Sequence, residues 1–382
     1  MTGGGSGGHI TPVLAVAHEL KQQSPESRIV YIGQCDDDLL DVVKKHPAID
    51  EVRTVWAGKL RRYSGEGWRQ LLDVKTQALN IRDVFRTGYG IIQSYRILKD
   101  IGPAVVFTRG GFVSVPVALA ARLRRVPYIT HDADSVPSLA NRLIARWATW
   151  HAVALPAKLY PYPKDKIVVV GMPTGHNHRI VTPELQQQYR TELGIEMFNE
   201  VIVITGGGNG ALALNKMIVA NARFLLAMFP DLVVLHFSGR LHESETNEAY
   251  DKLELGNARS RVQVHGFEPD FYRYSGAADV VVARGGMGSI AELALQQKAC
   301  LLVPSKQLGW NVKNSHALAE QGAVVELTEG QAEQPERLGR TLAELLGDRA
   351  QRMQLGRRIG RFAHPQAASE LAALVLQSGR GQ

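Results

Sequence analysis

The sequence predicts an α/β protein of two doubly wound domains, each a parallel sheet covered by helices, that face a cleft. Three observations predict this class. Short β-branched runs alternate with helical patterns along the 382 residues, as in parallel sheets with helices on both faces. Glycine-rich turns that lead into helices occur near the start of the chain and again at residues 206–211. The length suffices for two full cores, with ligand expected at the carboxyl ends of the strands.

Composition excludes several classes of protein. The chain is 45% hydrophobic with a formal charge of +7, which suits an acidic substrate or an anionic lipid surface. Cys35 and Cys300 are far apart, so neither a disulfide framework nor a zinc site is predicted, and a reducing cytoplasm is expected. No run reaches the roughly 18 apolar residues of a membrane span, and no signal peptide is evident. Aromatic residues are not interleaved with charges, so no nucleic-acid partner is expected.

The first element is a glycine-rich turn at residues 3–9, closed by His9, in which five of seven residues are glycine. Thr11 is a suitable helix cap, and Pro12 fits the first turn of a helix. A glycine-rich turn before a helix N-terminus binds phosphate or developing negative charge. The strand that should precede the turn has no room after Met1, so either the chain lacks its first strand or the true start lies upstream. We favour the second interpretation, because a loop with no strand behind it would be poorly held.

The elements that follow are predicted from hydrophobic periodicity. Helical patterns include residues 212–228 and 289–296, and an amphipathic helix over residues 365–377 lies near the end of the chain. Ten β-branched runs are predicted strands, at residues 28–33, 104–108, 128–131, 166–171, 201–205, 232–237, 262–265, 279–283, 300–304 and 324–327.

The domain boundary is predicted near Pro161 and Pro163, because alternating prolines resist both helix and central strand. Residues 1–163 are expected to form an N-terminal domain, and residues 164–355 are expected to form a second domain. Residues 356–382 are expected to contain a helix that packs back on the N-terminal domain.

A third glycine-rich turn follows the predicted strand at residues 279–283. Backbone N–H groups of residues 285–288 and of the helix that follows are suited to holding a diphosphate. Glu292 falls in about the first turn of that helix. Its carboxylate either accepts two hydrogen bonds from a ribose diol or only complements the helix dipole, and spacing favours neither interpretation.

The order and spacing of these motifs resemble the MurG-type enzymes, GT-B glycosyltransferases that add N-acetylglucosamine to the lipid-linked peptidoglycan precursor. The resemblance implies two Rossmann-like domains, an inverting transfer from UDP-N-acetylglucosamine held by the C-terminal domain, and no metal or cofactor. It also implies a polyprenyl-diphosphate-linked muramyl-peptide acceptor, bound by a peripheral protein at the cytoplasmic face of a bacterial membrane. The motifs that carry it are residues 4–9, 108–114, 206–211, 285–294, 302–304, 314–318 and 322–323.

The resemblance also implies site residues. Those expected to bind the donor are Gly207, Gly208, Asn209, Phe267, Glu268, Met287, Gly288, Ser289, Ile290, Glu292 and Asn311. Those expected in the loops near the acceptor diphosphate are Ser6, Gly7, Gly8, Gly110 and Gly111.

The chain departs from the family pattern at several positions. Asp134 and Gly175 stand where the family has asparagine and arginine. Asn311-Val312 stands in place of paired glutamines, and Gly208-Asn209 stands in place of serine-glutamine. Several of these changes lie around the sugar, so the resemblance implies UDP and leaves the donor sugar open.

His9 is the candidate general base, because a histidine titrates in the useful range. The alternative is that His9 donates to a phosphate or braces its loop, in which case Asp134 is a second candidate base. His176 and His178 resemble surface loop residues and are assigned no role. The leaving diphosphate is expected to be stabilised by helix dipoles and backbone N–H groups.

Basic and apolar residues of the N-terminal domain form a candidate membrane patch. In the family this region sits on anionic lipid, whereas any single helix here is also consistent with a core helix that has a solvated face. The patch residues are Arg82, Phe85, Arg86, Ile92, Arg122, Arg124 and Arg125.

Three classes of function therefore stay open. The first is the lipid-acceptor glycosyltransferase, which acts in cell-wall synthesis and so in cell shape and cell division. The second is another GT-B protein that uses a UDP-sugar, either on a different lipid or as an epimerase. The third is a non-catalytic binder of sugar nucleotides.

Overall fold

The computed structural model describes residues 1–4, 7–37, 40–59, 73–175 and 177–380. Contacts between residues divide the chain into two compact units. Unit 1 comprises Met1–His176 and His364–Gln382, and unit 2 comprises Asn177–Ala363.

All described strands pair in parallel. In unit 1, β1 pairs with β2, and β3 to β6 pair in chain order. In unit 2 the order is β12-β11-β10-β7-β8-β9. The strands are β1 (Val30–Gln34), β2 (Glu51–Val55), β3 (Val106–Thr108), β4 (Tyr128–Asp132), β5 (Trp150–Val153), β6 (Ile167–Val169), β7 (Glu200–Thr205), β8 (Leu232–Phe237), β9 (Val262–His265), β10 (Val280–Ala283), β11 (Ala299–Leu302) and β12 (Val325–Glu326).

Helices connect most consecutive strands, as parallel pairing requires. They are α1 (Gly7–Gln23), α2 (Leu40–Lys44), α3 (Val74–Ile101), α4 (Ser114–Leu123), α5 (Leu139–Ile144), α6 (Pro183–Glu192), α7 (Leu212–Met228), α8 (Glu243–Asp251), α9 (Phe271–Ala277), α10 (Met287–Gln296), α11 (Gly309–Ala319), α12 (Glu329–Ala332), α13 (Arg337–Gly347), α14 (Arg349–Ile359) and α15 (Ala367–Arg380). Short 3₁₀ helices cover Ala145–Trp147, Ala157–Leu159, Lys164–Lys166, Gly256–Arg261 and Gly360–Phe362.

The sheet of unit 2 is buried on both faces. Successive residues of β7 point to opposite sides. Ile202 and Ile204 accordingly pack into one apolar core, and Val201 and Val203 pack into the other. This two-sided burial explains why residues 201–204 of the strand are all apolar rather than alternating with polar residues.

The first residues of the chain lie between the two sets of strands in unit 1. Thr2 forms parallel bridges to Ile32 of β1 and to Thr108 of β3. Its N–H donates to the carbonyl of Phe107 at 2.9 Å. A bridge of this kind, not a full strand, stands where the sequence analysis expects a missing strand.

The predicted boundary at residue 163 lies inside unit 1. Tyr162, between the two prolines, is buried, and its ring stacks on His151 with centroids 3.8 Å apart. The strand that follows, β6, pairs with β5. Residues 161–163 are therefore packed against the sheet rather than forming a linker between domains.

The C-terminal segment divides between the two units. The final helix α15 packs on α1, with Leu371 and Val375 in the same core as Leu20. The preceding helix α14 belongs to unit 2, where a Cβ on Gly356 would lie 2.2 Å from the carbonyl oxygen of Gln297. The prediction of one segment over residues 356–382 thus needs correction, since only the part from residue 364 joins unit 1.

The strands β2 and β5 are not among the strands predicted from the sequence. In β2, Arg53 and Thr54 are exposed, so the apolar signal is weak. In β5, His151 interrupts a run of only four residues but is fully buried. These two segments form strands because they pair with neighbouring strands that are distant in sequence, and such pairing cannot be seen in the local pattern of residues.

Glycine permits a close backbone crossing between α3 and the segment after β2. A Cβ on Gly90 would lie 1.9 Å from the carbonyl oxygen of Trp56, and one on Gly58 would lie 1.9 Å from that of Asp83. The Trp56 N–H donates to the side-chain oxygen of Gln93 at 2.9 Å. The contact therefore fixes the long helix against the sheet.

We expect Gly90→Ala to destabilise the protein by about 1–3 kcal/mol, because its methyl group overlaps the Trp56 carbonyl. Gly88→Ala is the matched control, since a Cβ there meets nothing within 4 Å. That variant should gain about 0.5–1 kcal/mol from better helix propensity. Urea unfolding measures both changes, and equal stability of the two variants would contradict the crossing.

Candidate functional site

The carboxyl edge of the unit 2 sheet brings two glycine-rich loops together. Strands β7 and β10 are neighbours, with Thr205 opposite Ala283 at their carboxyl ends. Because β8 pairs on the other side of β7, this is the point where the strand order reverses. The loop at residues 206–211 leads into α7, and the loop at residues 284–286 leads into α10. The predicted donor residues of both loops therefore share one edge.

The first loop of unit 2 is shaped by glycine. Gly207 and Gly210 have φ values of +85° and +76°, which glycine adopts readily. A Cβ on Gly210 would lie 2.0 Å from the carbonyl oxygen of Ser238 in the loop after β8. Gly208 and Asn209 are exposed. The loop thus combines a tight anchor with an exposed tip that a ligand can approach.

An exposed aromatic ring stands beside this tip. Phe267 keeps 47% of its surface exposed, and the guanidinium carbon of Arg240 lies 4.1 Å from its ring centroid. A Cβ on Gly208 would lie 3.8 Å from the same ring. Glu268 lies 3.6 Å from His265. A flat ring with a stacked cation is suited to a planar base, and Arg240 is a residue that the sequence analysis missed.

The second loop combines a helix N-terminus with a buried hydroxyl. Met287, Gly288 and Ser289 occupy the first turn of α10, where N–H groups lack helical partners. The Ser315 hydroxyl is buried without a hydrogen-bond partner among the described residues. A Cβ on Gly285 would lie 2.1 Å from that oxygen. These donors together suit an oxyanion, and Ser315 is a second residue that the sequence analysis missed.

Two predicted contacts are placed differently from expectation. The Ile290 N–H donates to the carbonyl of Gly286 at 3.0 Å, and the Ile290 side chain is 2% exposed. Ile290 is therefore a core residue whose N–H is used by the helix. Asn311 is also buried, and its carbonyl oxygen would lie 3.2 Å from a Cβ on Gly285.

A buried ion pair holds the second loop in place. The Arg284 guanidinium donates to the Glu329 carboxylate at 2.7 Å and to the Val303 carbonyl at 3.0 Å. The other carboxylate oxygen of Glu329 accepts from the Lys306 N–H at 3.1 Å. The loops after β10 and β11 are thereby joined through two side chains.

Glu292 lies deeper in α10 than predicted. It is the sixth residue of the helix, in the second turn, whereas the dipole acts within the first turn. Burial raises the pKa of Glu292, and the imidazole of His178 opposes that shift. The Nε2 atom of His178 lies 3.9 Å from Oε2 of Glu292. His178 is therefore a shielded neighbour of Glu292 rather than a surface residue.

In unit 1 the helix begins earlier than predicted. It starts at Gly7, so Gly8 and His9 lie in its first turn, and Pro12 lies inside it. Pro12 costs the helix one internal hydrogen bond, and Thr11 is not its cap. Ser6 lies outside the described residues. His9 is thus carried by a helix instead of a loop, which holds its backbone more firmly.

His9 is held as a neutral imidazole. Its Nδ1 lies 3.4 Å from the carbonyl oxygen of Arg109. Burial, together with the Arg109 guanidinium, lowers the pKa of His9 to about 4. Because a carbonyl only accepts, the proton lies on Nδ1 and Nε2 has the free electron pair. The ring is then neutral near pH 7, but the lowered pKa makes it a weaker base than the ordinary histidine expected from the sequence.

Two glycines after β3 lie beside His9. Gly110 and Gly111 have φ values of +84° and +80°. A Cβ on Gly111 would lie 3.0 Å from the Gly4 carbonyl oxygen and 3.7 Å from Nδ1 of His9. The structure therefore gathers the predicted loop residues of unit 1 that it describes into one place.

A buried arginine interacts electrostatically with both His9 and the second candidate base. Arg109 is 7% exposed, and its Nε has no partner among the described residues. Burial lowers the pKa of Arg109, while Asp134 and Asp132 raise it. Asp132 accepts from the Tyr162 hydroxyl at 2.7 Å. Asp134 therefore lies within electrostatic reach of the Arg109 guanidinium.

Most of the candidate membrane patch is exposed, except that Arg86 and Arg124 are half-buried. Phe85 and Ile92 keep 75% and 53% of their surfaces exposed, which excludes a core role for that face of α3. The Arg86 guanidinium lies 4.8 Å from the Trp56 ring, and that of Arg124 lies 5.2 Å from the Tyr95 ring. Further exposed apolar residues of α3 are Ile81, Val84, Tyr89 and Tyr95.

The described ranges contain neither a membrane-spanning helix nor a cluster of metal-binding side chains. None of the helices there is long and apolar enough to cross a membrane. No group of three or more His, Cys, Asp or Glu side chains in those ranges is arranged to hold a metal ion.

Two doubly wound units with glycine loops at the strand ends define the GT-B class of glycosyltransferase. The family models for the glycosyltransferase family 28 N-terminal and C-terminal domains match residues 1–153 and 201–371. A relative from Clostridium botulinum strain Langeland is 31% identical, with 87% of this chain and 86% of the relative covered. The chain belongs to glycosyltransferase family 28.

Relatives from other organisms match along almost their whole length. A protein of Symbiobacterium thermophilum is 29% identical over 100% of this chain and 96% of its own. One of Natranaerobius thermophilus is 26% identical over 98% of both chains. Each of the three relatives is named UDP-N-acetylglucosamine–N-acetylmuramyl-(pentapeptide) pyrophosphoryl-undecaprenol N-acetylglucosamine transferase.

Solved structures share the fold. MurG of Acinetobacter baumannii aligns with a TM-score of 0.73 at 23% identity, covering 99% of this chain and 98% of that one. A UDP-GlcNAc 2-epimerase of Neisseria meningitidis, solved with UDP-GlcNAc, aligns with a TM-score of 0.64 at 15% identity, covering 98% and 99%. Transferases and epimerases therefore have this architecture in common.

Proposed function

We propose that this protein transfers N-acetylglucosamine from UDP-N-acetylglucosamine to a polyprenyl-diphosphate-linked muramyl-peptide, converting lipid I to lipid II in peptidoglycan synthesis. The relatives that match along nearly the whole chain carry the name of this activity. The observation that carries the proposal in the structure is the meeting of two glycine loops at the switch point of unit 2. Through the cell wall, the activity would contribute to cell shape and division.

The donor residues of unit 2 fit a nucleotide diphosphate. The free N–H groups at the start of α10 and the Ser315 hydroxyl are donors for phosphoryl oxygens. Phe267 offers its exposed ring to the base, and Glu292 offers a carboxylate to the ribose. Donors aimed at the diphosphate stabilise the negative charge that develops as it leaves.

The acceptor hydroxyl must lose its proton during the transfer. We assign that proton to Nε2 of His9, because the ring is neutral and its Nδ1 is turned to the Arg109 carbonyl. The hydroxyl oxygen then forms a bond to the anomeric carbon. The bond from that carbon to the diphosphate breaks, and UDP leaves with the electron pair. Asp134 is the second candidate for this base.

The activity is tested by release of UDP. We expect release from UDP-N-acetylglucosamine only when a polyprenyl-diphosphate-linked muramyl-peptide is present, with a β-linked disaccharide as product. Other UDP-sugars supplied with the same acceptor are the controls. Conversion of the sugar nucleotide without acceptor would indicate an epimerase, and binding without any turnover would indicate a non-catalytic binder.

The role of His9 is tested by His9→Ala. Loss of a general base lowers kcat by about 100-fold or more and leaves UDP affinity unchanged. Because protonation of His9 removes the base, wild-type kcat should fall only as the pH falls toward 4, and the variant should lack that decline. His18→Ala, on the same helix, is the control and should retain turnover. If the His9→Ala variant keeps normal turnover, His9 is not the general base and Asp134 becomes the candidate for that role.

We further propose that unit 1 binds the surface of an anionic membrane. The apolar side chains of α3 that face solvent form a stripe at helical spacing, and such exposed patches mark interaction surfaces. The exposed Arg122 and Arg125 adjoin the end of α4. Each basic side chain near an anionic leaflet contributes about 1 kcal/mol. A membrane-binding surface would bring unit 1 to the lipid-linked acceptor, which lies in the membrane.

Sedimentation with liposomes tests the membrane surface. We expect reversible binding to anionic vesicles that fades at high salt, because screening acts within a Debye length of about 8–10 Å. Replacing Arg122, Arg124 and Arg125 by glutamate should weaken binding without changing UDP affinity. The charge-matched control replaces three exposed arginines of unit 2: Arg337, Arg349 and Arg357. A wild-type protein that ignores anionic vesicles at low salt would favour a soluble acceptor.

A further inference from the structure

His178 and Glu292 form a polar pair within unit 2. Nε2 of His178 lies 3.9 Å from Oε2 of Glu292, and the two side chains are 11% and 26% exposed. This distance is too long for a hydrogen bond between them. The two atoms are therefore shielded from most solvent and still separated by a gap.

Neighbouring helices hold both side chains of the pair. The His178 ring meets the Tyr272 ring edge-on, with centroids 6.1 Å apart. Tyr272 lies at the start of α9, and its carbonyl accepts from the Gln296 side chain of α10 at 2.7 Å. Ser275 of α9 donates to the same side chain at 2.7 Å. Because Glu292 also lies on α10, these contacts brace its helix against the helix that supports His178.

The size and chemistry of the gap select one kind of ligand. One oxygen atom can lie about 2.8 Å from both Nε2 and Oε2, since their separation is less than twice that hydrogen-bond length. A hydroxyl can accept from the imidazole N–H and donate to the carboxylate. An anion would be repelled by the Glu292 carboxylate, whereas a hydroxyl is neutral and can serve as both acceptor and donor. The pair is thus matched to a hydroxyl group.

We infer that His178 and Glu292 together bind one hydroxyl of the donor ribose, which makes His178 a further donor-binding residue. The inference rests on the proposed function, because the ribose belongs to the UDP-sugar. The imidazole also opposes the rise that burial causes in the pKa of Glu292, and so favours the ionised acceptor. A carboxylate and an imidazole on one oxygen give more selectivity than a carboxylate alone.

Calorimetric titration with UDP, 2′-deoxy-UDP and 3′-deoxy-UDP tests the inference. The wild-type protein should bind UDP about five- to tenfold more tightly than the analogue that lacks the shared hydroxyl. His178→Phe keeps an aromatic ring against Tyr272 but has no ring nitrogen. It should bind UDP about five- to tenfold more weakly and lose much of that preference, whereas His178→Gln, which retains an N–H donor, should recover part of it. His178→Ala provides a second removal of the donor.

The matched control is His316→Ala, because His316 also lies close to a carboxylate, at 3.3 Å from Glu320, but is 65% exposed. It should bind all three nucleotides like the wild type. If both His178→Phe and His178→Ala keep the wild-type preference between UDP and the deoxy analogues, the inference is overturned. A wild-type protein that does not bind UDP would instead contradict the proposed function.

Discussion

The close approach of backbone segments at the carboxyl ends of the parallel strands is the constraint on which both units depend. In unit 2, a Cβ on Gly210 would lie 2.0 Å from the Ser238 carbonyl oxygen, so only glycine lets these neighbouring loops meet. In unit 1, a Cβ on Gly111 would lie 3.0 Å from the Gly4 carbonyl oxygen, a tighter contact than most side chains make, and the φ of +80° also favours glycine there. Because the glycines at these positions carry no side chains, a ligand can approach the backbone N–H groups and the helix N-termini directly.

Buried charged side chains then determine the stability of the loops in unit 2 and the ionisation of groups in unit 1. The Arg284–Glu329 pair is almost fully shielded and spans the loops after β10 and β11, so it acts as a brace whose rupture would leave an uncompensated charge. Arg109 has a different role, because it acts on the ionisation of a neighbouring residue. Its positive charge helps burial to disfavour the protonated form of His9. The same low dielectric that makes these groups costly also strengthens their influence on nearby ionisable groups.

The architecture alone does not separate a transferase from an epimerase, since solved structures of both align with this chain at TM-scores above 0.6. Function lies in the side chains placed on the fold. The side chains that we propose to carry it here are a neutral His9, a shielded Glu292 and the exposed apolar face of α3. The departures from the family pattern include Asp134, Gly175 and, within a predicted nucleotide loop, Gly208-Asn209, so the resemblance alone leaves the donor sugar open.

Local patterns in the sequence determined much of this protein. The helix at residues 212–228 and the strand at residues 232–237 lie where periodicity predicts them, and the glycine loops stand at the predicted strand ends. Tertiary structure alone decided which side of α3 stays exposed, that β6 remains with unit 1, and that His178 lies beside Glu292. These outcomes depend on contacts between residues distant in sequence. Periodicity describes which residues share a face, but only packing decides what covers it.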